Sequence, residues 1–146
     1  MVCCCSITDH GVDHSRIFAG ISGIVHAASD MTMDPDPNKV ITPMVAGTLS
    51  LLNAAAKQPS VKRFVLTSSC AAAAAAEPGV AKIIDENTWN DGASREAWAP
   101  PPYGPERGFA VYAASKMEVE KVAWRWYIEH KPGFVFNTGK TDIGPM

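Results

Sequence analysis

The sequence has little that would bind a metal, cross a membrane or attract a polyanion. It carries four cysteines, three of them consecutive (Cys3, Cys4 and Cys5) and one distant (Cys70). No C-x-x-C spacing occurs, which argues against a zinc site. Adjacent cysteines bridge one another poorly, which argues against a disulfide framework. The cysteines therefore read as plain buried thiols in a reducing, cytoplasmic compartment. His10 and His14 stand four apart, but no acidic or cysteine partner sits at ligand spacing, so no metal is expected. A basic excess is also missing. Thirteen Lys and Arg face 15 Asp and Glu, a formal net charge of -2, which is the wrong sign for a nucleic-acid partner. No apolar run approaches the roughly 18 residues of a membrane span. The first residues lack a basic region and a long apolar stretch, so neither a membrane partner nor a secretory leader is expected.

What is present is enough chain for one domain, 146 residues of which 47% are hydrophobic. Short β-type runs alternate with helical stretches, the pattern of a parallel α/β sheet. Residues 2–7 and 23–29 read as strands, and 13–19 as a brief helix. Residues 30–39 contain Asp34-Pro-Asp-Pro37 and read as a loop. Thr42 followed by Pro43 predicts a helix start, with the apolar stripe Met44, Thr48, Leu51, Leu52 and Ala55 behind it. Arg63-Phe-Val-Leu-Thr-Ser-Ser69 predicts a strand, completing a β-α-β crossover. The alanines 71–76 read as a turn of helix or a packed loop, and 77–108 as an irregular segment. Residues 111–130 predict the longest helix, and 134–136 a last strand.

The long helix carries the chemistry. Tyr112, Ser115, Lys116, Val119, Ala123 and Trp126 share one face, and its apolar members mark it as the face packed on the sheet. A lysine there needs a reason, because lysine is seldom buried unpaired. Tyr112 and Lys116 are one turn apart. An ammonium at that distance favours a tyrosinate, and such a phenol exchanges a proton with an alkoxide or alcohol. A surface tyrosine beside a snorkelling lysine is the plainer alternative. Leu66-Thr-Ser-Ser69 and His26-Ala-Ala-Ser29 both end strands, and open parallel sheets bind ligands at the carboxyl ends of their strands. A serine-rich turn and ordinary small-residue packing are the alternatives there.

These segments together resemble the extended short-chain dehydrogenase/reductases of the NAD(P)-dependent epimerase/dehydratase superfamily. The matching text is Gly23-Ile-Val-His-Ala-Ala-Ser29, Gly47-Thr-Leu-Ser-Leu-Leu-Asn53, Val61-Lys-Arg-Phe-Val-Leu-Thr-Ser-Ser69, Ile84-Asp-Glu-Asn-Thr-Trp-Asn90 and Val111-Tyr-Ala-Ala-Ser-Lys-Met-Glu-Val-Glu120. Within that superfamily the sequence is most similar to dihydroflavonol-reductase-like ketone and aldehyde reductases, especially fungal ones. The resemblance implies that Ser69, Tyr112 and Lys116 are catalytic. Ser69 would polarise a substrate carbonyl, Tyr112 would give the proton, and Lys116 would hold the nicotinamide ribose and tune Tyr112. It implies NADP or NAD as cofactor, with Ala27, Ala28, Thr67, Tyr112 and Lys116 along its cleft, and a small-molecule carbonyl or alcohol as substrate. Trp98 and Tyr103 would lie in a loop over that substrate, or pack for stability.

The family's G-x-x-G-x-x-G turn has no counterpart here; Gly20-Ile-Ser-Gly23 precedes a strand instead of opening a helix. Residues 2–7 resemble the family's third strand, and residues 137–145 a shortened N-x-G-P segment. The expected fold is therefore a partial, doubly wound Rossmann sheet over residues 1–146. It lacks the first β-α-β unit and the C-terminal substrate domain, as an internal piece of a longer protein would. The expected function is NAD(P)-dependent reduction of a ketone or aldehyde. The alternatives are a non-catalytic remnant or a piece of a nucleotide-sugar epimerase/dehydratase. Alone, the chain is expected to be inactive, weakly stable and prone to associate along an unpaired strand edge. Thermal melts with NADPH and NADH check this. Binding at about 100 times Kd would add roughly 2.7 kcal/mol, so the expectation is no saturable rise in Tm with either nucleotide.

Overall fold

The structure, a computed structural model, describes residues 18–75, 81 and 83–141. The strand predicted over 2–7, most of the helix over 13–19, the three consecutive cysteines, His10, His14 and the end of the N-x-G-P segment lie outside them. Cys70, expected to be buried, is exposed where the chain leaves the sheet. Residues 18–20 form a turn closed by Gly20 at φ +76°, a backbone conformation that glycine adopts without cost.

β-branched and aromatic residues make strand β2, Arg63–Ser69, with the boundaries the sequence predicts. β1, Gly23–His26, and β3, Val135–Thr141, flank it. Both pair with it in parallel, in the order β1-β2-β3. Among the described residues this is an α/β fold, a partial Rossmann-like sheet. The register sets Ile24 beside Phe64 and Phe64 beside Phe136. Alternation then puts Ile24, His26, Phe64, Leu66, Ser68 and Phe136 on one buried face. Helices α1, Pro37–Ala56, and α3, Gly108–His130, cover that face. Val25, Val65 and Thr67, on the other face, are half-buried.

Helix α1 begins earlier than its Thr42-Pro43 signal predicts. The Asp36 carboxylate accepts from the Asn38 amide at 3.0 Å, and Pro37 occupies the first helical turn. Two equivalent cap-and-proline signals compete here. The earlier one prevails because it brings Val40 and Ile41 into a cluster with Ala97, Val111 and Ala114. Pro43 thus lies inside the helix, one backbone donor lost within an otherwise buried stripe. Met44, Thr48, Leu51, Leu52 and Ala55 are all buried, as the stripe predicts. On length and composition α1 is apolar enough to cross a membrane, which corrects the expectation that no segment is. Here its apolar side is spent on the sheet and on α3.

The segment 77–108 is less irregular than its prolines suggest. It contains α2, Asp91–Ala97, whose first turn is capped by the Asn90 side chain accepting from Ala93 N at 3.1 Å. The same Asn90 amide donates to Ala71 O at 3.0 Å, tying α2 to the chain that leaves β2. A 3₁₀ turn, Pro105–Arg107, leads into α3, which starts three residues before the predicted 111. Gly108 explains that start. A Cβ at this position would collide with the backbone carbonyl of Met33, so only glycine lets the loop after β1 pack against the head of α3.

The core centres on Phe64, which is fully buried and has its ring centroid 5.9 Å from those of both Phe134 and Phe136. Phe64→Ala is expected to destabilise the fold by about 3–5 kcal/mol, read as a lowered midpoint in urea unfolding.

Candidate active site

The carboxyl ends of β1 and β2 meet one face of α3. Tyr112, Lys116 and Glu120 succeed one another along that face at one-turn spacing, exposed by only 4%, 6% and 2%. Val119, Ala123 and Trp126 continue it into the core, as predicted.

Lys116 Nζ donates to the carbonyl of Thr67 at 3.2 Å. Among the described residues no carboxylate pairs with it. Burial holds its ammonium below the usual lysine value. Two N–H groups remain for other acceptors. A buried, unpaired ammonium costs stability unless something else uses it, and this is the strongest mark of function on the molecule.

One residue further, Ser68 Oγ donates to Glu120 Oε2 at 2.6 Å, and Thr138 Oγ1 of β3 donates to Glu120 Oε1 at 2.9 Å. Ser69, next again, is 1% exposed, and its Oγ accepts from Ala71 N at 3.2 Å. It caps the 3₁₀ turn Cys70–Ala72. The serine-rich turn set against the catalytic reading is thus real, yet the Ser69 hydroxyl proton remains free to be donated.

His26 ends β1. Its Nε2 lies 3.2 Å from Thr48 Oγ1, whose own proton goes to Met44 O at 2.9 Å. That network assigns Nε2–H as the donor. Burial, with the nearby Lys116 charge adding to it, lowers the His26 pKa to about 4, so the imidazole is neutral at pH 7. Ala27 and Ala28 follow, exposed and half-buried. Ser29 Oγ is buried with no hydrogen-bond partner among the described residues. Small side chains, an unsatisfied hydroxyl and a free ammonium at the carboxyl edge of a parallel sheet are what a nucleotide's ribose and carboxamide would meet. The residues present fit the nicotinamide end of NAD(P).

A cleft of about 830 Å³ opens at the head of α3, lined by Phe109, Ala110 and Ala113 around Tyr112 and not by Tyr112, Ser69 or Lys116 themselves. Ala73, Ala74, Trp89, Phe109, Ala110 and Ala113 form its apolar wall. Phe109 leans on Tyr112, their ring centroids 6.1 Å apart. Trp98 and Tyr103, expected near a substrate, do not line this cleft. Trp98 Nε1 donates to Glu118 at 2.8 Å, and Tyr103 lies under the Arg107 guanidinium at 5.1 Å; both brace the loop. Sequence reasoning missed Trp89, Phe109 and Glu120. Only Glu120 had a signal, the continuation of the Tyr112–Lys116 spacing by one more turn.

Residues 10–141 match an NAD-binding family described as "Male sterility protein". The chain is similar to the NAD-dependent epimerase/dehydratase terH of Aspergillus terreus, 50% identical over 84% of this chain and 36% of the relative. It is similar to aldehyde reductase 2 of Sporidiobolus salmonicolor, 42% identical over 85% of this chain and 36% of the relative. The yeast methylglyoxal/isovaleraldehyde reductase Gre2, solved with NADPH, superposes with a TM-score of 0.72 at 26% identity, covering 94% of this chain and 41% of that one. The chain thus spans little more than a third of the curated relatives' length.

The His26 environment makes stability depend on pH. Above the unfolded value of 6.5 the ring is neutral in both states. As pH falls from 6.5 towards about 4, the unfolded chain gains a proton that the folded one resists, and about 3 kcal/mol of stability is lost. Urea midpoints measured across that window are expected to fall, and His26→Gln to remove this part of the slope.

Proposed function

This chain belongs to the NAD-binding Male sterility family of the extended short-chain dehydrogenase/reductases, and from that membership we propose that it carries the catalytic constellation of an NAD(P)-dependent reductase of ketones or aldehydes. The single observation that carries the reading is the buried Lys116 ammonium, held on Thr67 O and paired with no carboxylate among the described residues, one turn from Tyr112. The similarity to an aldehyde reductase and to a reductase solved with NADPH supports the choice of carbonyl reduction.

When bound, NAD(P)H supplies the hydride. The chain's own residues do the rest. Lys116 would hold the nicotinamide ribose through its remaining N–H groups, with Ala27, Ala28 and Thr67 along the cofactor cleft. The Ser69 hydroxyl donates to the substrate carbonyl oxygen and fixes its direction. The Tyr112 hydroxyl donates its proton to the oxygen as alkoxide character develops, so that an alcohol leaves. The cleft walled by Ala73, Trp89, Phe109 and Ala113 receives the small carbonyl compound, and its alanines leave room for a flat group against the alanine-rich turn.

A chimera tests the assignment, with residues 18–141 replacing the corresponding segment of the Sporidiobolus aldehyde reductase. It is expected to oxidise NAD(P)H in the presence of a ketone or aldehyde. Tyr112→Phe should lower kcat by about 10²–10⁴-fold with little change in nucleotide affinity. Parent-like turnover in the Phe variant would assign the proton to another group.

A further inference from the structure

We propose that Ser68 and Thr138 are positioning residues that hold the Glu120 carboxylate off the Lys116 ammonium and so keep that ammonium available to the reacting groups. The inference rests on the role given to Lys116 above, and goes beyond it in saying what keeps the lysine free.

Lys116 and Glu120 are opposite charges one turn apart on α3, both buried. Residues at that spacing are within reach of each other, and burial strengthens their attraction. An ion pair would be the default outcome, yet the lysine rests on Thr67 O instead. The reason is in the carboxylate's other bonds. Its two oxygens are occupied separately, Oε2 by Ser68 from β2 at 2.6 Å and Oε1 by Thr138 from β3 at 2.9 Å. Hydrogen bonds to a charged acceptor are stronger than neutral ones. Two neutral hydroxyls therefore satisfy the carboxylate without cancelling the lysine's charge. The two donors sit on neighbouring strands, in register as Ser68 beside Lys140 and Leu66 beside Thr138. The carboxylate is thereby drawn across the β2–β3 seam.

Without those hydroxyls the buried cation within reach of Glu120 would be Lys116, since Lys121, Arg125 and Lys140, which line a cleft with it, are half-buried or exposed. The pair would occupy the N–H groups that a ribose hydroxyl and Tyr112 need. Among the described residues the other titratable groups near the ammonium are His26 of β1, which is neutral, and Tyr112 one turn before it on α3; β2 contributes the Thr67 carbonyl. Neither His26 nor Tyr112 is a second carboxylate that would explain a change in Lys116.

The test reads the lysine directly. In the 146-residue chain labelled with ¹³C-lysine, the Lys116 side-chain signal is assigned by its loss in Lys116→Arg and titrated by NMR. In the unmodified chain it is expected to titrate below the usual lysine value. In Ser68→Ala/Thr138→Val, Glu120 turns to Lys116 and the midpoint should rise by about one pH unit or more. Adding Glu120→Gln should return it. A midpoint that does not move in the double variant overturns the proposal. Glu120→Gln alone leaves the strands' own contacts in place and serves if the double variant does not fold. The proposal expects a shift under about half a unit, and a fall of a full unit would reveal an existing pair and overturn it. The titration needs neither nucleotide nor turnover. Expected midpoints beside an inactive chimera would count against the reductase reading alone, and an active chimera with unmoved midpoints against this inference alone.

Discussion

A single ammonium group organises the carboxyl end of this sheet. Lys116 reaches out of α3 to the backbone of β2 and is held there by a carbonyl, a neutral acceptor that fixes its place without quenching its charge. The surroundings agree with that arrangement. The nearest ring, His26, is kept uncharged by burial and by the lysine itself. The nearest carboxylate, Glu120, is satisfied by hydroxyls from two strands. A tyrosine hydroxyl sits one turn along, and a buried serine ends the strand. Burying a charge without a counter-charge costs stability. On the role proposed for Lys116, the fold accepts this cost because the charge is used.

The helical and strand periods carried much of this into the sequence. The face of α3, the strand β2 and the stripe of α1 were all legible because apolar residues recur at the period of the element that buries them. The Tyr112–Lys116 spacing was legible for the same reason, since only a helix brings the two together. Residue patterns could not say which of two cap signals begins α1. Asp36-Pro37 and Thr42-Pro43 are locally equivalent, and the choice is made by Val40 and Ile41 meeting α3 across a long sequence distance. Helix α2 was hidden similarly. Its seven residues are too few to show a period, and its stability comes from the Asn90 bridge to Ala71 and from Ser94 and Trp98, both of which donate to Glu118. Prolines around it suggested a loop, but they bound the helix without entering it.

The candidate site residues could be named from the sequence, and what surrounds them could not. Hydroxyls at strand ends and a Y-x-x-x-K pair can be recognised as text. The wall of the cleft cannot, because Trp89 comes from a segment with no regular period and Phe109 from the first turn of α3, ahead of the start its apolar pattern predicts. Gly108 belongs to the same class. Its importance follows from the Met33 carbonyl lying against it, a contact between residues that nothing in the sequence pairs.

The sheet order has a consequence during synthesis. β2 is the middle strand, and its partner on the β3 side pairs Val135 with Arg63, about seventy residues later in the chain. At about 5–20 residues per second on the ribosome, β2 emerges several seconds before that partner exists. For that interval one edge of an apolar strand, with Phe64 and Leu66 on its flank, has no neighbour to close it. α1 precedes β2 and covers part of the same core, and α3, translated just before β3, completes that cover. The candidate catalytic face and the last part of the folding cover are therefore one surface, and a substitution there is expected to register in the yield of folded chain as well as in chemistry.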